Sequence, residues 1–189
     1  MKYRFCPLCA TPLKPEFRGG RERPVCHRCG YVRYENPVAG VAGIVLVPGD
    51  HAIRWHEPLI GGGAGLAPPG RTPLILLARR TIPPEGWCIP CGYVEADEEI
   101  RSALIREMEE ETGLIIAPRE VYAVQSNFHN PDQPTVGTWF LCSVTGGRAQ
   151  AGDDVDRLAL YPVTDPPPLA FPTDKVVLER LGSIPPEEL

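Results

Sequence analysis

The sequence predicts an α/β protein, a β-sheet packed between helices, preceded by a small metal-held module. Three observations predict it. Strand-like runs at 38–47, 74–80, 120–128, 136–144 and 158–163 are interleaved with helical segments at 97–113 and 173–181. Two Cys-x-x-Cys pairs, Cys6/Cys9 and Cys26/Cys29, stand near the start with sixteen residues between them. The helix within Gly92–Leu114 is rich in glutamate, and its acids fall on the face its first half gives to a core.

The chain of 189 residues, 43% hydrophobic and 23% charged, suits one globular domain with a small appendage. Its expected division is 1–35 for the cysteine module and 36–189 for the main domain, with a Gly/Pro-rich insertion at 48–73. The longest apolar run, Val38–Val47, is too short to span a bilayer. No apolar segment precedes Cys6, which argues against a signal peptide. A cytoplasmic protein without a membrane partner is therefore expected.

Net charge is −5, but unevenly spread: residues 1–35 hold eight Lys/Arg against three acids, and residues 95–111 hold eight acids against two arginines. The basic start could attract a polyanion, and the acidic block is a candidate cation site.

Each element has its own signal. The paired knuckles offer four thiolates, Cys6, Cys9, Cys26 and Cys29, to one tetrahedral Zn²⁺. So small a segment cannot build much core, and the metal would supply its folding energy. His27 sits inside a knuckle, but four cysteines already fill the site. Nucleic-acid contact through the arginines is the lesser reading, because no stacking pattern of aromatic and basic residues is evident.

Val38–Val47 reads as a strand of valine and small residues. The insertion follows, with Gly61-Gly62-Gly63 and Pro68-Pro69 marking an irregular excursion. Its glycines lack the lysine and following helix of a phosphate loop. His51, Trp55 and His56 are read as solvated rather than substrate-facing. Leu74–Arg80 is the next strand. Cys88 and Cys91 form a third Cys-x-x-Cys, but no fourth pair completes a metal site and no redox context surrounds it. Cys142 reads as a buried, inert thiol. Asp153, Asp154 and Asp156 lie in a turn-rich connector before the last strand. The final helix is expected to be capped by Thr173 and stopped by Gly182.

Asp97 is the expected N-cap of the acidic helix, with Glu98 and Glu99 favoured by its dipole. At about 100° per residue, Ile100, Ala103 and Leu104 form an apolar stripe that continues into Glu107, Glu110, Glu111 and Leu114. Carboxylates at these spacings raise one another's pKa or demand a cation. An all-oxygen set suits Mg²⁺ or Mn²⁺ rather than Zn²⁺.

The segment from Gly92 through Glu98 to Arg106-Glu107-Met108-Glu109-Glu110-Glu111-Thr112-Gly113-Leu114 resembles the Nudix box at every fixed position, and Trp87, Pro90 and Cys91 resemble the approach to it. The resemblance implies an α/β/α sandwich with a mixed sheet. It also implies metal-dependent hydrolysis of a nucleoside diphosphate linked to another moiety. On the matching positions it implies Glu107, Glu110, Glu111 and the Gly92 carbonyl as Mg²⁺ ligands. Glu98 and Arg106 would order the box, and an acid from a later loop would join it: Asp154, with Asp153 and Asp156 as alternatives.

A four-cysteine ribbon joined through Tyr34-Glu-Asn-Pro37 resembles the Nudix group linked to ADP-ribose and FAD hydrolysis. It resembles the NADH and NAD-cap pyrophosphatases less closely, because Gln125-Ser-Asn-Phe128 replaces their SQPW-type segment. The expected partner is a small nucleotide, and homodimers are frequent among similar proteins. A zinc-ribbon nucleic-acid-binding regulator with an inactive Nudix domain is the rival from another class. A hydrolase of damaged nucleotides is a third reading.

Overall fold

The computed structural model describes residues 3–47 and 73–184. The insertion with His51, Trp55 and His56 lies outside them except for Pro73. The chain divides into two compact units, Met1–Asn36 and Pro37–Leu189.

The first unit is built on an antiparallel hairpin, β1 (Lys14–Arg18) and β2 (Arg21–Val25). Gly19 and Gly20 join the strands at φ +58° and +79°, the left-handed pair that a two-residue turn of this hand requires. Each knuckle closes on a backbone bond of 2.9 Å, Ala10 N–H to Cys6 O and Gly30 N–H to Cys26 O. The buried residues are Cys6, Leu13, Val25 and Cys26, with Tyr3, Cys9 and Tyr31 packed against Cys6, Leu13 and Cys26. Four buried residues make only a small core for a unit of this size.

The second unit is a seven-stranded mixed sheet with a helix on each face. Its strands are β3 (Val38–Val47), β4 (Leu74–Arg80), β5 (Gly86–Cys88), β6 (Cys91–Tyr93), β7 (Leu114–Asn127), β8 (Thr135–Gly147) and β9 (Val155–Pro162). The order is β5-β4-β3-β8-β7, with β6 on β3 and β9 on β4. The β3–β8 pair is parallel; the other pairs are antiparallel.

Successive residues of a strand point to opposite faces, which sorts the core. Val41, Val45, Leu76 and Ala78 meet Ala103, Leu104 and Met108 of α1 (Ile100–Thr112). Their neighbours Ala42, Ile44, Ile75 and Leu77 meet Val177, Leu178 and Leu181 of α2 (Pro172–Gly182). This is the α/β/α arrangement that the resemblance implied.

Several boundaries differ from expectation. The cap of α1 is Glu99, not Asp97: the Glu99 carboxylate accepts from the N–H groups of Arg101 (2.9 Å) and Ser102 (3.1 Å). Thr173 does not cap α2. That helix starts from Phe171 without a side-chain cap, Pro172 begins it, and Gly182 lies inside its last turn. The approach to the acidic helix holds two three-residue strands. β7 leaves α1 directly at Leu114, because Gly113 turns the chain at φ +67°.

Candidate active site

One end of the sheet opens into a cleft of about 380 Å³. Its walls come from β3 and β6, from α1, from the connectors before β9 and α2, and from the end of β7. Two of the three box glutamates reach it. Glu107 and Glu111 line the cleft, with Asp153 and Asp154 beside them. Glu110 does not: its side chain is 50% exposed and outside the lining.

The wheel argument misplaced Glu110 because Met108, fully buried against the sheet, takes the inward position after Leu104. The true buried stripe is Ala103, Leu104, Met108, Glu111 and Thr112.

Glu111 is 2% exposed. Its Oε2 accepts from the Cys91 N–H at 2.8 Å. Burial pushes its carboxyl up to about 8, against that bond, and the charges of Asp154 and Glu107 push the same way. Glu107 is likewise raised by burial, against its bond to Arg106. A buried and a half-buried carboxylate that resist ionisation favour a bound cation, which would restore their charge.

Arg106 ties the box together. Its Nε and Nη2 make two bonds of 2.9 Å to the Glu98 carboxylate. Its Nη1 donates to Glu107 Oε1 (2.8 Å) and Glu110 Oε2 (3.0 Å), and Nη2 donates to the Tyr93 carbonyl (3.1 Å). The same fork holds Glu98 below its ordinary range.

Gly92 is a packing necessity. It pairs with Val41 across the sheet, and a Cβ there would overlap the Glu107 carboxylate.

The aspartates of the connector separate by role. Asp156 is bound by Arg79, with Nε to Oδ1 at 2.7 Å, and lies outside the cleft lining. Asp154 faces inward, where Arg80 Nη2 meets its Oδ2 at 3.0 Å. Adjacent strand residues point to opposite faces, so Arg79 and Arg80 meet different acids, and the register shifts between them.

Asp174 was missed in the sequence. It is 2% exposed, lines the cleft, and accepts from Ile89 N–H (3.0 Å) and Trp139 Nε1–H (3.1 Å). Burial pushes its carboxyl up to about 7, against those two bonds. The available signal was an acid in the first turn of a helix begun by proline. His129, which packs edge-on against Phe171 with centroids 5.1 Å apart, also lines the cleft.

The residues fit a divalent cation by donor chemistry: oxygen ligands, a glycine cradle, and an Asp154 Oδ1 that is buried without a partner. Among the described residues no trio of these carboxylates gathers its ligand atoms within 4.8 Å, and Arg106 holds Glu107 toward itself and Glu110. The cysteines do gather. The ligand atoms of Cys6, Cys9, Cys26 and Cys29 all lie within 4.8 Å of one another. Sulfur separations are 3.5 Å (Cys9–Cys26), 3.6 Å (Cys6–Cys29) and 3.7 Å (Cys9–Cys29). Zn–S bonds of about 2.3 Å in a tetrahedron place sulfurs about 3.8 Å apart, so the cluster could hold zinc. His27 faces Glu16 instead, at 3.4 Å. Cys88 is fully buried, and Cys91 is raised well above an ordinary thiol by its bond to Cys88 and by burial. Cys142 is half-buried, and burial pushes it up to about 12.

Comparison with known proteins agrees with the fold. An ADP-ribose pyrophosphatase of Methanocaldococcus jannaschii is 32% identical over 110 residues, 57% of this chain and 65% of that protein. The NAD-capped RNA hydrolase NudC of Stutzerimonas stutzeri is 27% identical over 125 residues, 66% of this chain. The alignment spans only 36% of that relative. The crystal structure of a NUDIX hydrolase from Nitrosomonas europaea superposes with a TM-score of 0.70 at 24% identity, covering 94% of this chain and 89% of the other. Among the described residues no helix is long and apolar enough to cross a membrane. The family description NUDIX domain matches residues 65–181, more than half of the chain, and the chain therefore belongs to the NUDIX family.

Proposed function

We propose that this chain hydrolyses the pyrophosphate bond of a nucleoside diphosphate linked to another moiety, with ADP-ribose or FAD as substrate. The observation that carries the reading is the pair of box carboxylates, half-buried Glu107 against Gly92 and buried Glu111 against the Cys91 N–H, in one cleft with Asp153 and Asp154. The ADP-ribose pyrophosphatase relative supports the substrate class.

Glu107, Glu111 and the Gly92 carbonyl would hold Mg²⁺ or Mn²⁺ together with Asp154, and Glu110, outside the cleft lining and bound by Arg106, would have to turn inward to complete the oxygen set. A cation held there would supply charge to neutralise the diphosphate oxygens and would lower the pKa of an attacking water. The chain's own work is orientation. Arg106 fixes Glu98, Glu107 and Glu110, and the Cys91 N–H fixes Glu111. The general base is one of two groups, a box glutamate or Asp154, each beside the attacking water in this scheme. Water adds to one phosphorus, the bridging P–O bond breaks, and a nucleoside monophosphate and a second phosphate ester leave.

The decisive experiment assays ADP-ribose, FAD, NADH, NAD and diadenosine polyphosphates with Mg²⁺, identifying the products. Glu111→Gln should lower kcat roughly 100-fold or more with the fold intact. Wild-type turnover by that variant would sink the assignment. A second reading, NADH or NAD-cap hydrolysis, is supported by the NudC relative, and preference for those substrates in the same panel would favour it.

A further inference from the structure

Among the described residues, Arg80 is the sole arginine or lysine lining the cleft. Its side chain is 11% exposed and that of Asp154 17%. The pair is half-made. Nη2 of Arg80 reaches Oδ2 of Asp154 at 3.0 Å, while Arg80 Nε and Asp154 Oδ1 are both buried with no partner. Nε and Nη2 form one edge of the guanidinium fork. Arg106 offers the same edge to Glu98 and makes both bonds, at 2.9 Å each. Buried charged groups with unmade bonds call for an explanation, commonly a missing ion or ligand.

Backbone bonds hold the two residues side by side. Thr81, the next residue after Arg80, donates through both its N–H and its hydroxyl to the Asp154 carbonyl, at 2.9 Å each. Asp153 sits at φ +50°, which fixes the turn that presents Asp154. On its other side the Arg80 guanidinium lies over the Phe171 ring, 5.4 Å from the centroid. It is therefore confined between an aromatic face and one carboxylate.

Resting on the diphosphate reading above, we propose that Arg80 is a diphosphate-binding residue held in reserve by Asp154, and that a divalent cation captures Asp154 and releases Arg80 to the substrate. Six carboxylates line the cleft, Glu95, Glu107, Glu111, Asp153, Asp154 and Asp174, and those that are ionised repel a diphosphate until a cation arrives. Once Asp154 turns to the cation, both teeth of the Arg80 fork are open to two phosphate oxygens, the geometry arginine matches best. Cation and nucleotide then bind with positive coupling, and each strengthens the other by the same factor. Arg80 acts here on substrate binding, not on the chemical step.

The test is ADP binding to the full chain by titration calorimetry, with and without Mg²⁺. In Asp154→Asn, Arg80 is released without a cation, so metal-free ADP affinity should rise about tenfold over wild type. Asp153→Asn removes the same charge from the same cleft but frees no arginine, and should gain much less. Arg80→Gln should lose about tenfold in ADP affinity with Mg²⁺ present, and adding it to Asp154→Asn should abolish that variant's gain. Arg80→Lys keeps the charge without the fork and should fall between; it stands in if Arg80→Gln fails to fold. Equal gains from Asp153→Asn and Asp154→Asn, or wild-type ADP affinity in Arg80→Gln, would overturn the proposal. Mg²⁺-dependent turnover with these arms failing rejects Arg80 alone; these arms succeeding without turnover rejects the catalytic reading alone.

Discussion

At the scale of single residues, the site depends on contacts of a few tenths of an ångström. Gly92 has no room for a side chain because the Glu107 carboxylate occupies that space. Gly92→Ala should displace Glu107 and cost about 100-fold in kcat, as misplacements of about 1 Å do. Thermal melts would check that the fold survives, and an active Gly92→Ala enzyme would exclude Glu107 from the cation set. Asp174 carries a different prediction. Its ordinary value of 3.8 is pushed up to about 7 in the fold, so folding takes up a proton. That contribution is full below about 4 and is lost as pH rises through about 7. Glu111, up to about 8, has the same sign until a cation charges it. Without Mg²⁺, Tm should therefore fall as pH rises from 4 to 8, and Asp174→Asn should flatten the lower part of that slope. An unchanged slope in Asp174→Asn would refute the buried-acid account. Glu107 and Glu111 were legible from helical spacing because both neighbours and periodicity lie within one element. Asp174 and Arg80 were not, since their partners lie 35, 85 and 74 positions away in sequence; local periodicity carries no trace of such pairings.

At the scale of elements, α1 positions the site by how closely it sits on β3. Gly43 allows that approach: a Cβ there would collide with the fully buried Met108 side chain. Gly43→Ala should cost about 1–3 kcal/mol through overpacking. Met108→Ala should cost roughly 2–5 kcal/mol by leaving a cavity. The double variant should be less destabilised than the sum of the two, since the added methyl occupies space the truncation opens. Denaturant unfolding of the four proteins measures this, and strict additivity would show that the helix does not rest on Gly43. Strands β3 and β4 were legible at 38–47 and 74–80 from their β-branched and aliphatic runs. The three-residue strands β5 and β6 were not, because so short a segment has no period and exists only by pairing with β4 and β3. The cap was missed for a related reason. Asp97, Glu98 and Glu99 are all acids that a helix start accepts, and the choice fell to the carboxylate that reaches the Arg101 and Ser102 N–H groups.

At the scale of the whole molecule, the two units draw their stability from different sources. The unit of residues 37–189 has two buried layers around a seven-stranded sheet, enough apolar burial to fold on that basis. Among the described residues, the unit of residues 1–36 has four buried residues, two of them cysteines whose sulfurs belong to the four-cysteine cluster. Four thiolates placed 3.5–3.7 Å apart repel one another unless a metal draws them together. The second unit should therefore outlast the first when metal is withdrawn. One zinc per chain is expected by atomic emission. A strong chelator should remove it and erase amide-exchange protection across residues 3–36, while protection in the buried strands β3 and β4 persists. Cys26→Ser should reproduce that pattern without a chelator, since it deletes a ligand in a site with no spare donor. Protection of residues 3–36 that survives complete zinc removal would mean that the small core and the hairpin hold the unit by themselves, contrary to the metal-first account.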